Sequence, residues 1–161
     1  MIVKITYKIA SSDIEFKQGK ELFIRYAESL NLDLCFQDFA TELNIIQKLY
    51  NVPHGSLIIA YSDKNPVGCV AIRNNEKDIA ELKRMFILPE HRGKKTGRKL
   101  LEIALDKAKQ LGYKKVRLDT LSSMTRARQL YHSFGFYEIA PYCFNPIVDA
   151  VFMEKDLLSI C

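Results

Sequence analysis

Ile79-Ala-Glu-Leu-Lys-Arg-Met-Phe-Ile-Leu88 runs into Pro89-Glu-His-Arg-Gly93, then into Lys94-Lys-Thr-Gly97-Arg98 and a stripe of Leu100, Leu101, Ala104, Leu105, Ala108 and Leu111. The first segment is apolar and of strand length. The proline–glycine segment breaks it, and the stripe recurs at helical spacing from Gly97 onward. Gly112 stands where a helix ends in a left-handed residue. Val116–Thr120 then reads as a short strand. Strand, helix and strand in that order form a crossover unit, so the two strands are expected to be parallel and joined right-handedly.

Outward from that unit the chain carries more strands than helices. Val3, Ile5, Tyr7 and Ile9 alternate with Lys4, Thr6 and Lys8, the period of a half-buried strand. Ile14–Leu30 and Phe36–Tyr50 have helical spacing, the second ended by Asn51-Val-Pro53. Strands over Gly55–Ser62 and Pro66–Arg73 flank Asp63-Lys64-Asn65, a turn by composition, and residues 74–78 form a second polar turn. Ser122 or Ser123 is suited to cap a helix reaching about Phe134, with Ala127, Leu130 and Tyr131 on one face and Gly135 at its end. Phe136–Ala140 and Ala150–Leu157 are the last strands. The order βααβββαβαββ predicts one α/β (α+β) domain over residues 1–161, a mixed, mostly antiparallel sheet with helices on both faces.

Composition excludes several classes. With 48% hydrophobic and 27% charged residues among 161, the chain is of ordinary globular make-up and not disordered. Its longest apolar runs, 57–61 and 67–72, fall far short of the ~20 residues of a spanning helix. The N-terminus lacks an apolar core of signal-peptide length, so a soluble cytoplasmic protein with no membrane partner is expected. Cys35, Cys69, Cys143 and Cys161 form no paired motif and read as reduced, mostly buried small residues. His54, His91 and His132 lack ligand spacing, so no metal is expected.

Charge is uneven. Residues 83–117 hold twelve Lys or Arg against three acids, in a chain whose net charge is +5. Such a run is either a solvated face or an anion site, for a nucleic acid or a phosphate-bearing small molecule. Arg92-Gly93-Lys94-Lys95-Thr96-Gly97-Arg98 lies between a strand and a helix, where helix-start amides lack partners, the dipole is positive and glycine lets backbone approach a ligand. Neither a Walker loop nor a dinucleotide fingerprint is present.

Residues 81–98 resemble the acetyl-CoA-binding core of the GNAT N-acetyltransferases. Met124-Thr-Arg-Ala127-Arg-Gln-Leu130-Tyr131-His-Ser-Phe-Gly135-Phe136 is similar to that family's second motif, an Ala-x-x-x-Tyr helix ending in Gly-Phe. The element order matches along the whole chain. The resemblance implies that the loop grips the pyrophosphate of acetyl-CoA, with Arg92 and Gly97 at the ends of the Q/R-x-x-G-x-G/A pattern and Gly93, Lys94, Thr96 and Arg98 between or beside them. Lys95 stands where that pattern has glycine, which implies a residue near helical geometry that contributes charge.

Acetyl transfer to an amine needs the amine deprotonated, donors for the developing oxyanion, and a proton for the departing thiolate. The resemblance implies Glu81 as the base, a backbone N–H near Phe86 or Ile87 for the oxyanion, and Tyr131 as hydrogen-bond donor to the thiolate. Phe86 and Ile87 would also line the pantetheine path. Ala127, one turn before Tyr131, leaves room for the cofactor arm. Met124 replaces a common pantetheine-binding asparagine, and its thioether cannot act as an amide donor. His132 reads as a surface or packing residue. The acceptor is expected to be a primary amine selected by the first two helices and the loop Pro141–Asp149. A CoA-binding domain without transferase activity and a basic nucleic-acid-binding module are the alternatives. No aromatics interleave the basic run as stacking surfaces, which argues against nucleic acid. An exposed edge strand leaves pairing into a homodimer open.

Overall fold

A computed structural model describes residues 3–31, 34 and 38–158. In chain order they form β1 (Ile5–Ile9), α1 (Asp13–Leu30), α2 (Phe39–Asn44), α3 (Ile46–Leu49), β2 (Ser56–Ser62), β3 (Asn65–Glu76), β4 (Ile79–Ile87), α4 (Thr96–Gln110), β5 (Lys115–Leu121), α5 (Thr125–Ser133), β6 (Tyr137–Ile139) and β7 (Ala150–Asp156). The strands make one sheet in the order β1-β2-β3-β4-β5-β7-β6. Only β4 and β5 run parallel. The expected crossover is therefore present, and the class read from the sequence stands.

Local chemistry explains most boundaries. α1 opens on a capping box: Glu15 N–H donates to Ser12 Oγ at 3.2 Å, and Ser12 N–H donates to Glu15 Oε1 at 3.0 Å. The apolar run of β2 is buried along its whole length because both sheet faces are covered. Leu57 packs against Gly19 of α1, where any β-carbon would collide with it. Tyr61, on the same face by alternation, donates to Gln18 Oε1 at 2.6 Å. The opposite face takes Leu100, Leu101, Ala104 and Ala108 of α4, all fully buried.

Some expectations need correction. The single helix expected over Phe36–Tyr50 is two short ones in its described part, broken at Ile45, while Phe36 lies outside the described residues. The turn expected over residues 74–78 shrinks to Lys77-Asp78, with Asp78 left-handed at φ 65°. Neither Ser122 nor Ser123 caps α5; Met124 occupies that position without a side-chain bond. Of the cysteines described, Cys69 is buried but Cys143 is exposed, and Cys35 and Cys161 lie outside the described residues.

Candidate active site

β4 pairs with β5 only through Ile79–Glu81 opposite Lys115–Arg117. Beyond those three residues the parallel strands separate and leave a cleft. The cause sits at Arg84, left-handed at φ 57° within the strand, where the β3–β4 register slips. A bulge adds a residue on one strand and bends it away. The Cys69 thiol donates to the displaced Arg84 carbonyl at 3.3 Å. The Arg84 side chain is itself buried and forked onto Glu42 of α2, at 2.9 Å from Nε and 2.8 Å from the terminal nitrogen. Burial disfavours the guanidinium charge, but the Glu42 bond and charge outweigh it and raise its pKa. Phe39 covers the same guanidinium, 5.1 Å away.

The loop between β4 and α4 is the second part of the site. Arg92 N–H donates to Pro89 O, and Lys99 N–H, donating to Lys95 O at 3.2 Å, is the next amide to find an acceptor. Among the described residues, the intervening amides of 93–98 have none, so the helix start presents a run of open donors. Gly93 turns the loop at φ 81° with nothing within 4 Å of where its β-carbon would be. At Gly97 a β-carbon would lie 3.1 Å from Ile87 Cδ1 and 3.4 Å from Met85 Cε, so any side chain there would push those two ends aside. Lys95 adopts φ 62°, the left-handed region itself, and not the helical geometry expected for it. The arginines lean onto the neighbouring walls. Arg92 donates to Ile87 O at 3.0 Å, and Arg98 lies 5.1 Å over Phe134 with Ser133 Oγ at 3.3 Å.

These donors and charges fit a diphosphate. Of the remaining basic residues of 83–117, Lys83 and Arg84 are buried, and Lys99, Lys114, Lys115 and Arg117 lie in ion pairs with Glu102, Asp78, Glu154 and Glu76. Lys107 and Lys109 stand in the last turn of α4, away from the loop at its start. No group of metal-ligating residues occurs among the described ones, and no described helix is long and apolar enough to cross a membrane.

Tyr131 and Ala127 both lie on α5, Tyr131 buried against Phe136 at 5.6 Å between ring centres. Burial, and then the charges of Tyr26 and Asp119, push its phenol well above the ordinary range, so it keeps its proton. Phe86 is buried with its ring 5.6 Å from Tyr26 of α1. Met124 accepts a weak bond from Thr120 Oγ1 at 3.5 Å.

Glu81 differs from a free base. Its Oε1 accepts from Arg73 Nε at 3.0 Å and its Oε2 from the Tyr142 hydroxyl at 2.7 Å. Burial alone would raise its pKa, but Lys83, Arg73 and these bonds outweigh burial and hold it below the usual carboxylate range. Each oxygen of this carboxylate already accepts one bond, and the same partners lower its basicity. The carboxylate ties the loop after β6 to the sheet.

Other cleft residues gave little or no signal in the sequence. Tyr26, Leu30, Lys83, Arg84, Asp119, Thr120 and Asn145 line it. Asn145 Nδ2 donates to Asp119 Oδ2 at 3.1 Å, while its own Oδ1 accepts the Ile147 amide at 3.0 Å. An alternating strand such as β5 places Asp119 without marking it, and only the paired chain ends bring Asn145 to it.

The sequence model of the Acetyltransferase (GNAT) family matches residues 19–136, and the chain belongs to that family. It is 35% identical over 140 residues to an uncharacterised N-acetyltransferase of Schizosaccharomyces pombe, covering 86% of each chain. The fold superposes on an acetyltransferase of Streptococcus agalactiae with a TM-score of 0.77, at 23% identity over 94% of this chain and 98% of that one. It also superposes on the PaiA N-acetyltransferase of Thermoplasma acidophilum, solved in complex with coenzyme A, with a TM-score of 0.68 at 20% identity over 94% and 99%. The protein is thus an N-acetyltransferase of the GNAT family.

Proposed function

We propose that this protein transfers the acetyl group of acetyl-CoA to a primary amine by direct attack within a ternary complex, with no metal. The observation that carries this reading is the run of open amides at residues 93–98, at the start of the helix that follows β4. Acetyl-CoA, when bound, supplies an acetyl group activated as its thioester. Amides 93–98 with Arg92, Lys94, Lys95 and Arg98 hold the diphosphate by hydrogen bonds and charge. Gly97 and Ala127 keep the path beside β4 clear, and Phe86 and Ile87 line it. Backbone N–H groups just past the bulge, at Phe86 or Ile87, are the donors for the developing oxyanion.

The proton balance follows from the residues. An ammonium acceptor loses one proton before attack, since only the free amine is nucleophilic. The first proton goes to solvent water; the new C–N bond then forms as the C–S bond breaks, the second proton passes from the nitrogen to the departing sulfur, and the Tyr131 hydroxyl steadies that sulfur by donating a hydrogen bond. A buried phenol with a raised pKa keeps its proton and is suited to donate a hydrogen bond to the developing thiolate. Glu81 acts here as a positioning residue through Tyr142.

Thiol release from acetyl-CoA against amino acids, monoamines, polyamines, aminoglycosides and peptides tests this reading, with calorimetry for coenzyme A alongside. Amine-dependent release is the expected result. Binding of coenzyme A with no release on any amine identifies a CoA-binding domain without transferase activity, and no binding at all refutes the diphosphate loop.

A further inference from the structure

Three carboxylates stand on or against the strands that flank the cleft, and two have a donor on each oxygen. Glu42 gives both oxygens to Arg84, and Glu81 gives one each to Arg73 and Tyr142. Asp119 differs: Asn145 holds its Oδ2 at 3.1 Å, the Ile147 amide fixes which way Asn145 points, and no described donor takes Oδ1. Asp119 lines the cleft on the side of Tyr26 and Thr120, and its charge reaches Tyr131. Leu30, Leu34, Leu82, Leu121, Met124 and Ile147 supply the apolar part of the cleft lining. Lys83 and Arg84 also stand in that lining.

Resting on the acetyl-transfer reading above, we propose that Asp119 Oδ1 anchors the ammonium of the acceptor and that the acceptor is a monoamine with an apolar body. One open carboxylate can take one ammonium by a charge-assisted hydrogen bond. A second cationic group on the same molecule would meet apolar side chains, Lys83 and Arg84, and would lose its hydration without a partner. Spermidine-like and aminoglycoside acceptors are excluded on that ground. Asn145 is the positioning residue, since it holds the carboxylate by Oδ2 and leaves Oδ1 without a described donor.

The test compares phenylethylamine and isoamylamine with spermidine and kanamycin as acceptors, for the wild type and for Asp119→Asn, Asp119→Glu and Asn145→Ala. The monoamines are the expected substrates. Asp119→Asn keeps the bond to Asn145 but loses the charge, so the amine KM rises by roughly 10- to 100-fold, the weight of one hydrogen bond to a charged group. Its affinity for acetyl-CoA is unchanged, which a merely structural fault would not allow. Asp119→Glu restores part of the amine KM, and Asn145→Ala falls between. If Asp119→Asn fails to bind acetyl-CoA, the same KM comparison is read from Asp119→Glu and Asn145→Ala. Preference for spermidine or kanamycin overturns the inference while acetyl transfer stands, as does an unchanged amine KM in a variant that binds acetyl-CoA. No thiol release from any amine overturns both.

Discussion

Glu42→Gln is the substitution whose effect the structure defines best. Glu42 and Arg84 are 2% and 6% exposed, and two hydrogen bonds of 2.8 and 2.9 Å join them. An exposed ion pair would contribute about 1 kcal/mol at most. A buried one is different, because removing one partner leaves the other charge desolvated, at about 3–5 kcal/mol. Glutamine retains one acceptor oxygen, so the loss belongs at the lower end, about 3 kcal/mol. For a chain of this size that lowers the melting temperature by roughly 6–12 °C. Urea melts of Glu42→Gln, Arg84→Met and the double variant Glu42→Leu/Arg84→Met measure it. Both single variants are expected to be strongly destabilised and the double variant to recover most of the loss, since an apolar pair leaves no unpaired charge. Because Arg84 is also the left-handed residue of the bulge, Glu42→Gln should weaken acetyl-CoA binding beyond its stability cost. A Glu42→Gln loss below about 1 kcal/mol, the size of a surface pair, would refute the argument.

Tyr131→Phe should lower kcat by roughly 100-fold, the scale of a lost hydrogen bond to a charged group, with the KM for acetyl-CoA little changed; an unchanged kcat would remove the phenol from the mechanism. Lys95→Gly exchanges a left-handed lysine for the residue that adopts φ 62° without strain, so stability by calorimetry should stay within about 1 kcal/mol and coenzyme A should still bind. Gly97→Ala should weaken acetyl-CoA binding through its contact with Ile87, whereas Gly93→Ala, strained at φ 81° but in open space, should mainly cost stability, by about 1 kcal/mol. Glu81 and Glu154 both have folded pKa values below their unfolded ones, so their stabilisation is full above the unfolded value of about 4.3 and drains as pH falls through the folded values. Melts between about pH 6 and pH 3 should accordingly show Glu81→Gln costing more at the upper end than at the lower, and a constant cost would refute the linkage.

Sequence legibility followed the range of the interaction involved. The crossover unit, the helical stripe of α4 and the glycines at 93, 97, 112 and 135 are local signals, and each stands in the structure where the chain pattern put it. The break at Ile45 carries no proline or glycine, so the periodicity of residues 36–50 ran across it unmarked. At Lys95 the chemistry of the residue argued for a helical backbone, but the turn geometry of the loop prevailed over the side chain's preference. Glu81 was legible as a carboxylate in a catalytic register. That Arg73 and Tyr142 close both its oxygens depends on a hairpin partner and on a loop 61 residues away.

The bulge shows why the catalytic geometry itself is the least legible layer. A strand that reads Lys83-Arg84-Met85 gives no reason to bend, because arginine neither favours a positive φ nor belongs in a sheet interior. At the bend the Arg84 side chain meets Glu42, from a helix across the sheet face, as its buried counter-charge. The separation of β4 from β5 then exposes Asp119 to the cleft, and the same separation leaves the strand amides after the bulge free of β5 partners. In the proposed mechanism, acceptor recognition and oxyanion donation therefore both depend on one long-range ion pair. A variant that repairs the ion pair with apolar residues but straightens β4 should retain the fold and lose both, so the stability of the Glu42→Leu/Arg84→Met variant and its acetyl-transfer rate are expected to part company.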